Sequence, residues 1–361
     1  MRDIYQVSSQ LYRYVWSPSQ FDSPKNRQSI INLLDRMITD FHRVETASLA
    51  RTPEPGFTVA LKNHQEALQD ARDRLAIGAT DYANWRLRGL MASCTSCHSR
   101  YEVSNDFVGD TPLVEEHSFD ARLAQAEFLF GSRQFDAASN ALFTLATSLS
   151  QSQAASLNLL RTLKLWLVIE VRVKNRPKVA RERLEILIAN GMIEGEMKSF
   201  IDSWITDLKK LEQPDDLSLS PLAEARKLLK KTEANIIIDD DVHAIVFTLR
   251  ATALLHSLLD NPLAPSERAQ ALLVLAKAYL HLPIVSFEVF RGFYLEQCIE
   301  EFPGTSEAKS AFQLYEKQLR SEDQTPPLPS ELARLEELRR LAYGSQTSSK
   351  DKTSSAVRAN S

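Results

Sequence analysis

Apolar residues recur every three to four positions along most of the chain, and segments rich in Val, Ile or Thr with two-residue alternation are scarce. That period predicts an all-α protein. The first 105 or so residues read as four helices. The first, from about Met1 to Trp16, carries Ile4, Val7, Leu11 and Val15 at helical spacing and stops before Pro18. The second opens in "DSPKNRQ", with Ser23 as cap and Pro24 at the first helical position, and its stripe is Ile30, Leu34, Met37, Phe41 and Val44. A third follows the "RTPEPG" break, with Phe57, Leu61, His64, Leu68, Ala71 and Leu75 on one face and Gly78 as its C-terminal signal. The fourth opens near Thr80 or Asp81, and Leu87, Leu90, Met91, Cys94, Cys97, His98 and Tyr101 share a face. Short connections make neighbours antiparallel, which describes an up-down-up-down four-helix bundle.

After "NDFVGDTPLVEEHS" (105–118) the pattern changes to paired helices with short turns. "ARLAQAEFLFGSRQFDAASNALFTLA" (121–146) predicts a hairpin in which Phe135 and Ala138 open the second helix after a short polar turn. "LRTLKLWLVIEVRVKNRPKVARERLEILI" (160–188) repeats the scheme with Pro177 at the second helix start, and 269–319 is a third instance. The spacing is irregular and no strict 34-residue period survives, so the expectation is an α-hairpin, tetratricopeptide-like array, with a plain all-α bundle as the alternative. A linker near "EQPDDLSLSP" (212–221) divides the array. The expected domains are a bundle over 1–112, hairpin regions over 113–212 and 213–322, and a short helix with a disordered polar tail over 323–361.

Composition narrows the partners. A net charge of −4, 43% apolar and 25% charged residues are ordinary for a soluble globular chain and point neither to nucleic acid nor to an anionic membrane surface. The longest apolar segment, "LWLVIEV" (165–171) between Lys164 and Arg172, is too short to span a bilayer. "ARKLLKKTEAN" (225–235) reads as a solvated helix face, and the aspartates of "IIIDDDVHA" (236–244) as a helix N-terminal charge cluster.

The chemistry concentrates in "MASCTSCHSRYEV" (91–103), which holds two of the three cysteines. C-x-x-C-H is the attachment signature of c-type haem. Two thiols three apart on a helical turn reach the two vinyl groups of one porphyrin. The next residue then lies beneath the ring, where a neutral imidazole can coordinate iron. Cys94 and Cys97 are therefore expected to be thioether anchors of one covalent haem c, and His98 its proximal ligand. A redox pair lacks its parallel-sheet context. A structural zinc site lacks a second Cys/His pair at suitable spacing, since Cys298 and His117 are isolated. Cys298 reads as a buried small hydrophobe.

"LMASCTSCHSRYEV" resembles the last helix of the cytochrome c-prime family, including its low-spin bundle relatives, and "SQFDSPKNRQSIINLLDRM" is similar to their first loop and second helix. The resemblance covers residues 1 to about 105 and departs in the short first helix and the large C-terminal extension. It implies Cys94 and Cys97 as anchors, His98 as proximal ligand, a periplasmic location, and either electron transfer or binding of a diatomic gas. The first 20 residues lack the pattern of a secretion signal, so the periplasmic expectation carries with it a leader already removed, or another export route.

The sixth iron position separates those functions. His98 lies about 17 residues, or about 26 Å, from the start of its helix. The same level on the third helix falls near residue 60, and on the first helix at its beginning. Met37 is more than two turns away and reads as core. His64 is about one turn off and Met1 is at the right height, so Met1 or His64 is the expected distal ligand, with an open apolar side walled by Tyr5 and Phe57 as the alternative. In the low-spin relatives a first-helix methionine fills this position. His42 reads as solvated, while Arg2, Arg51 and Arg100 are candidate propionate partners.

The leading expectation is thus an exported mono-haem electron carrier, not a catalyst, whose C-terminal helices dock a redox or assembly protein; a homodimer is also compatible. A gas-binding sensor with five-coordinate iron and a protein-binding scaffold with structural haem are the alternatives.

Overall fold

The structure, a computed structural model, describes residues 2–49, 55–99, 118–150, 156–189, 193–213, 219–233, 242–321 and 329–344. Every element in them is helical, as the apolar period predicts. In order these are α1 (Arg2–Val15), α2 (Pro18–Phe21), α3 (Pro24–Leu49), α4 (Pro55–Ala76), α5 (Thr80–His98), α6 (Phe119–Gly131), α7 (Phe135–Ser150) and α8 (Ser156–Leu167). The last runs into a π-helical stretch, Val168–Val173. Then come α9 (Pro177–Ala189), α10 (Gly195–Leu211), α11 (Pro221–Glu233), α12 (Ile245–Leu259), α13 (Pro265–Leu280), a 3-10 turn (Val285–Phe287), α14 (Val289–Glu301), α15 (Ser306–Ser321) and α16 (Pro329–Tyr343).

Proline sets many of these starts. Seven helices open on it (Pro18, Pro24, Pro55, Pro177, Pro221, Pro265 and Pro329), where its fixed φ suits the helix and its missing N–H would have had no partner. At the other end of α4, Gly78 takes φ +88°, the left-handed turn that ends the helix.

The helices α1, α3, α4 and α5 pack in a ring, α1 on α3, α3 on α4, α4 on α5 and α5 back on α1. Their shared core holds Val7, Leu11, Leu34, Met37, Leu68, Leu75 and Leu87. A fifth helix joins them: Ala121, Ala124 and Phe128 of α6 lie in this core, while Leu123, Ala126, Leu129 and Phe130 of the same helix lie in the larger core of the remaining chain. The physical reason is the C-terminal half of α6, where Ala126, Phe128, Leu129 and Phe130 put apolar side chains on more than one face.

From α6 onward, consecutive helices pack on one another: α6 on α7, α7 on α8, α9 on α10, and α11 through α16 each on the next. The 269–319 segment comprises three helices, α13, α14 and α15. The chain also returns to its beginning, with α14 against α4 and the 3-10 turn against α5. Within the apolar "LWLVIEV" segment, Glu170 is fully buried, accepts from Ser139, and is held by Arg176 through Nε and Nη2 at 3.0 Å each. On α11 Lys227 and Lys230 are exposed and Leu228 and Leu229 buried, so its basic face is wet. His117, residues 214–218 of the 212–221 linker, the aspartates at 239–241 and the tail after Gly344 lie outside the described residues.

Because α6 backs two cores, truncating it should be costly. Phe130 is fully buried, and Phe130→Ala should lose about 3–5 kcal/mol of unfolding free energy in urea. Leu157, 81% exposed, should change stability by less than about 0.5 kcal/mol when replaced by Ala.

Candidate functional site

The last turns of α5 face a cavity. Leu87, Leu90, Cys94 and His98 recur at three- and four-residue intervals, so a single helix face carries the motif's first thiol and its imidazole to the same wall. Opposite them stand Phe57, Ala60, Leu61 and His64 from α4, Met37, Phe41 and Val44 from α3, and Ile4, Tyr5, Ser8 and Leu11 from α1. Glu127, Phe128, Gly131 and Ser132, at the end of α6, complete the lining. The cavity measures about 130 Å³. Aliphatic and aromatic side chains form most of its surface.

Three groups with shifted pKa values, His64, His98 and Glu127, interrupt that apolar wall. His64 is buried, its Nε2 lies 3.4 Å from Cys94 Sγ, and its ring centroid is 5.7 Å from that of Phe41. Burial pulls its pKa down to about 4, against a weaker opposing hydrogen bond to the Ala60 backbone. His98 also has its pKa pulled down to about 4, by desolvation first and by the nearby Arg133 guanidinium second. Its Nδ1 donates to the Gly131 carbonyl, which fixes the tautomer and leaves Nε2 as the nitrogen with a lone pair. Both rings are therefore neutral near pH 7. The third group, Glu127, is buried with its pKa raised to about 7 by desolvation, opposed by Arg161 of α8 at 3.5 Å.

The site thus brings together Cys94, His98, His64, Tyr5 and Phe57, which the sequence singled out. Met37, read as core, is buried and also contributes to the cavity wall. Cys97 lies on α5 three residues beyond Cys94, and its side chain is outside the described set, as are the Arg2 side chain, Met1, Arg51 and Arg100. His42 is exposed and contacts Glu45 and Gln65. Cys298 sits fully buried in α14, where its thiol donates to the Ala269 carbonyl at 3.7 Å and burial pushes its pKa up to about 12.

Sequence reasoning missed Glu127, Gly131 and Arg133. A signal existed in "EFLFGSRQ" (127–134), a carboxylate set in an apolar run that ends on glycine. Arg133, buried at φ +62°, occupies the left-handed position that closes α6.

These residues suit a haem. The cavity is apolar, a thiol and a neutral imidazole enter it from one helix face, and the imidazole's second nitrogen is already held by a carbonyl, the usual arrangement of a metal-bound histidine. Among the described residues no three His, Cys, Asp or Glu side chains are grouped to hold a bare metal ion. Compared with known protein families, curated proteins and solved structures, the chain matches none.

Glu127 generates a pH-dependence. Its folded pKa lies above the ordinary 4.5, so its contribution to stability is complete below about pH 4.5 and is lost as pH rises through 7. Glu127→Gln should abolish that slope. The variant should exceed the parent chain by about 1–3 kcal/mol at pH 8 and match it at pH 4 in urea unfolding of the haem-free protein.

Proposed function

We propose that this chain is a c-type cytochrome in which Cys94 and Cys97 tether one haem and His98 is the proximal iron ligand. The observation that carries the reading is the shared helix face: Cys94 and His98, four residues apart within C-x-x-C-H, both line the apolar cavity. Bound haem would supply one-electron exchange between ferric and ferrous iron.

The chain's own residues do the rest. Each motif thiol would add across a vinyl group, carbon–sulfur bond formation being matched by proton addition to the neighbouring carbon. Tyr5, Phe41, Phe57 and Leu61 exclude water from the cavity, and low polarity around the iron favours the less charged ferrous form. Neutral His98 can ligate without first losing a proton, and the same holds for His64 on the cavity wall. His64 is thereby the described candidate for the sixth position, with Met1 the other. Arg133, close enough to depress His98, is a buried cation of the kind that offsets a propionate.

A filled sixth position makes the protein an electron carrier of exported, periplasmic type. The tetratricopeptide-like helices after α6 would then offer the surface for a redox or assembly partner. The packing of α1, α3, α4 and α5 in a ring supports this reading.

Expression with cytochrome c maturation machinery tests this. One haem per chain with a thioether-type pyridine haemochrome is expected, lost in a Cys94→Ala, Cys97→Ala double variant; a wild-type chain without covalent haem would overturn the proposal. Sharp low-spin bands indifferent to carbon monoxide are expected for the carrier, and His64→Ala should turn them high-spin if His64 is the distal ligand. A wild-type high-spin spectrum that shifts with carbon monoxide would replace the carrier by a gas-binding protein.

A further inference from the structure

We propose that Gly131, the last residue of α6, is a positioning residue for the iron: its carbonyl holds the His98 Nδ1–H and sets the reduction potential of the haem from a helix outside the C-x-x-C-H segment. The inference rests on the cytochrome reading and adds to it a source of control that lies 33 residues beyond the proximal ligand.

Gly131 meets the motif at two points. Its carbonyl is among the four that a helix end leaves without an intrahelical partner, and it accepts from His98. It also lacks a side chain where one would be tight: a Cβ at this position would stand 3.0 Å from the Cβ of Cys94, which would have to give by a few tenths of an ångström. Glycine here has ordinary helical geometry and is favoured by the close approach alone. The C-terminus of α6 is also the negative end of its dipole, directed at the proton of the imidazole.

The end of α6 is itself immobilised. The N–H of Arg133 donates to Phe130 O and that of Gln134 to Leu129 O, both at 2.9 Å, closing the helix in a left-handed turn. Leu129 and Phe130 face the larger core. The carbonyl that meets His98 is therefore referenced to the C-terminal helices. A firmly accepted Nδ1–H makes the imidazole more basic toward iron, and a more basic ligand stabilises ferric over ferrous iron. Loosening this bond should raise the potential.

The test compares midpoint potentials of the haem-loaded full chain, its Gly131→Ala variant and a control, Gly89→Ala. Gly89 lies on α5, exposed, with nothing within 4 Å of an added Cβ. Gly131→Ala should raise the potential by a tenfold change in the equilibrium constant, about 59 mV for one electron, and Gly89→Ala should leave it unchanged. In ¹⁵N-histidine spectra the His98 Nδ1 proton should exchange slowly with water in the wild type and faster in Gly131→Ala. A haem-bearing Gly131→Ala protein with the wild-type potential, or a Gly89→Ala protein shifted as far, overturns the inference and leaves the cytochrome reading intact. Absence of covalent haem in the wild type overturns both. Should Gly131→Ala not fold, the wild-type spectrum decides: slow Nδ1 exchange supports the bond and fast exchange overturns it.

Discussion

The close crossing of α6 over the end of α5 is the contact on which the rest of the structure depends. It is closest at residue 131, which has no side chain, and it brings a backbone carbonyl to His98 and backbone beside Cys94. The same crossing closes the cavity with Glu127 and Phe128 and gives α6 its place between two cores. Moving α6 outward by the width of a methyl group would open the cavity, release the imidazole and unpack Phe128 from Tyr12, whose rings stand 5.0 Å apart. These effects share one cause, so they cannot be tuned independently.

The cavity is costly to keep. Apolar walls with space between them forgo dispersion contacts, and His64, His98 and Glu127 give up hydration at its edge. Burial resolves this in the same direction at each group, by favouring the uncharged form. For the histidines that form is the one able to donate a lone pair to a metal. A ligand that fills the space and accepts that lone pair binds only the folded chain and returns stability to it. The burial that favours uncharged histidines is thus what a ligand able to accept their lone pairs would need.

Much of this was legible in the sequence. Helical class followed from the apolar period, and the starts at Pro24 and Pro177 and the stop at Gly78 from local backbone chemistry. That Cys94 and His98 share a face followed from their spacing, and His64 joined them because it sits on the apolar stripe between Leu61 and Leu68. Gly131 was not legible, because what it contributes is a carbonyl and the absence of a Cβ, and neither has a side-chain signature. Glu127 was hidden by its run: in "AEFLF" apolar residues on more than one face give no stripe from which to tell a cavity-facing carboxylate from a solvated one. The second wall of the site lay in long-range packing, which periodicity does not encode.

This changes what the resemblance over the first 105 or so residues can account for. A cytochrome of that kind would be complete within its own four helices, yet here the lining draws on Glu127, Phe128, Gly131 and Ser132. A chain ending at residue 105 would lack the acceptor for His98 and the wall beside Cys94, leaving the imidazole to water and its tautomer free. The C-terminal helices hold the end of α6 against the motif through Leu129 and Phe130. In the proposed cytochrome, a partner seated on those helices would press on the element that orients His98. Docking and electron affinity would then be linked through one helix, with the coupling carried by rigid-body packing and requiring no rearrangement of the ring of α1, α3, α4 and α5.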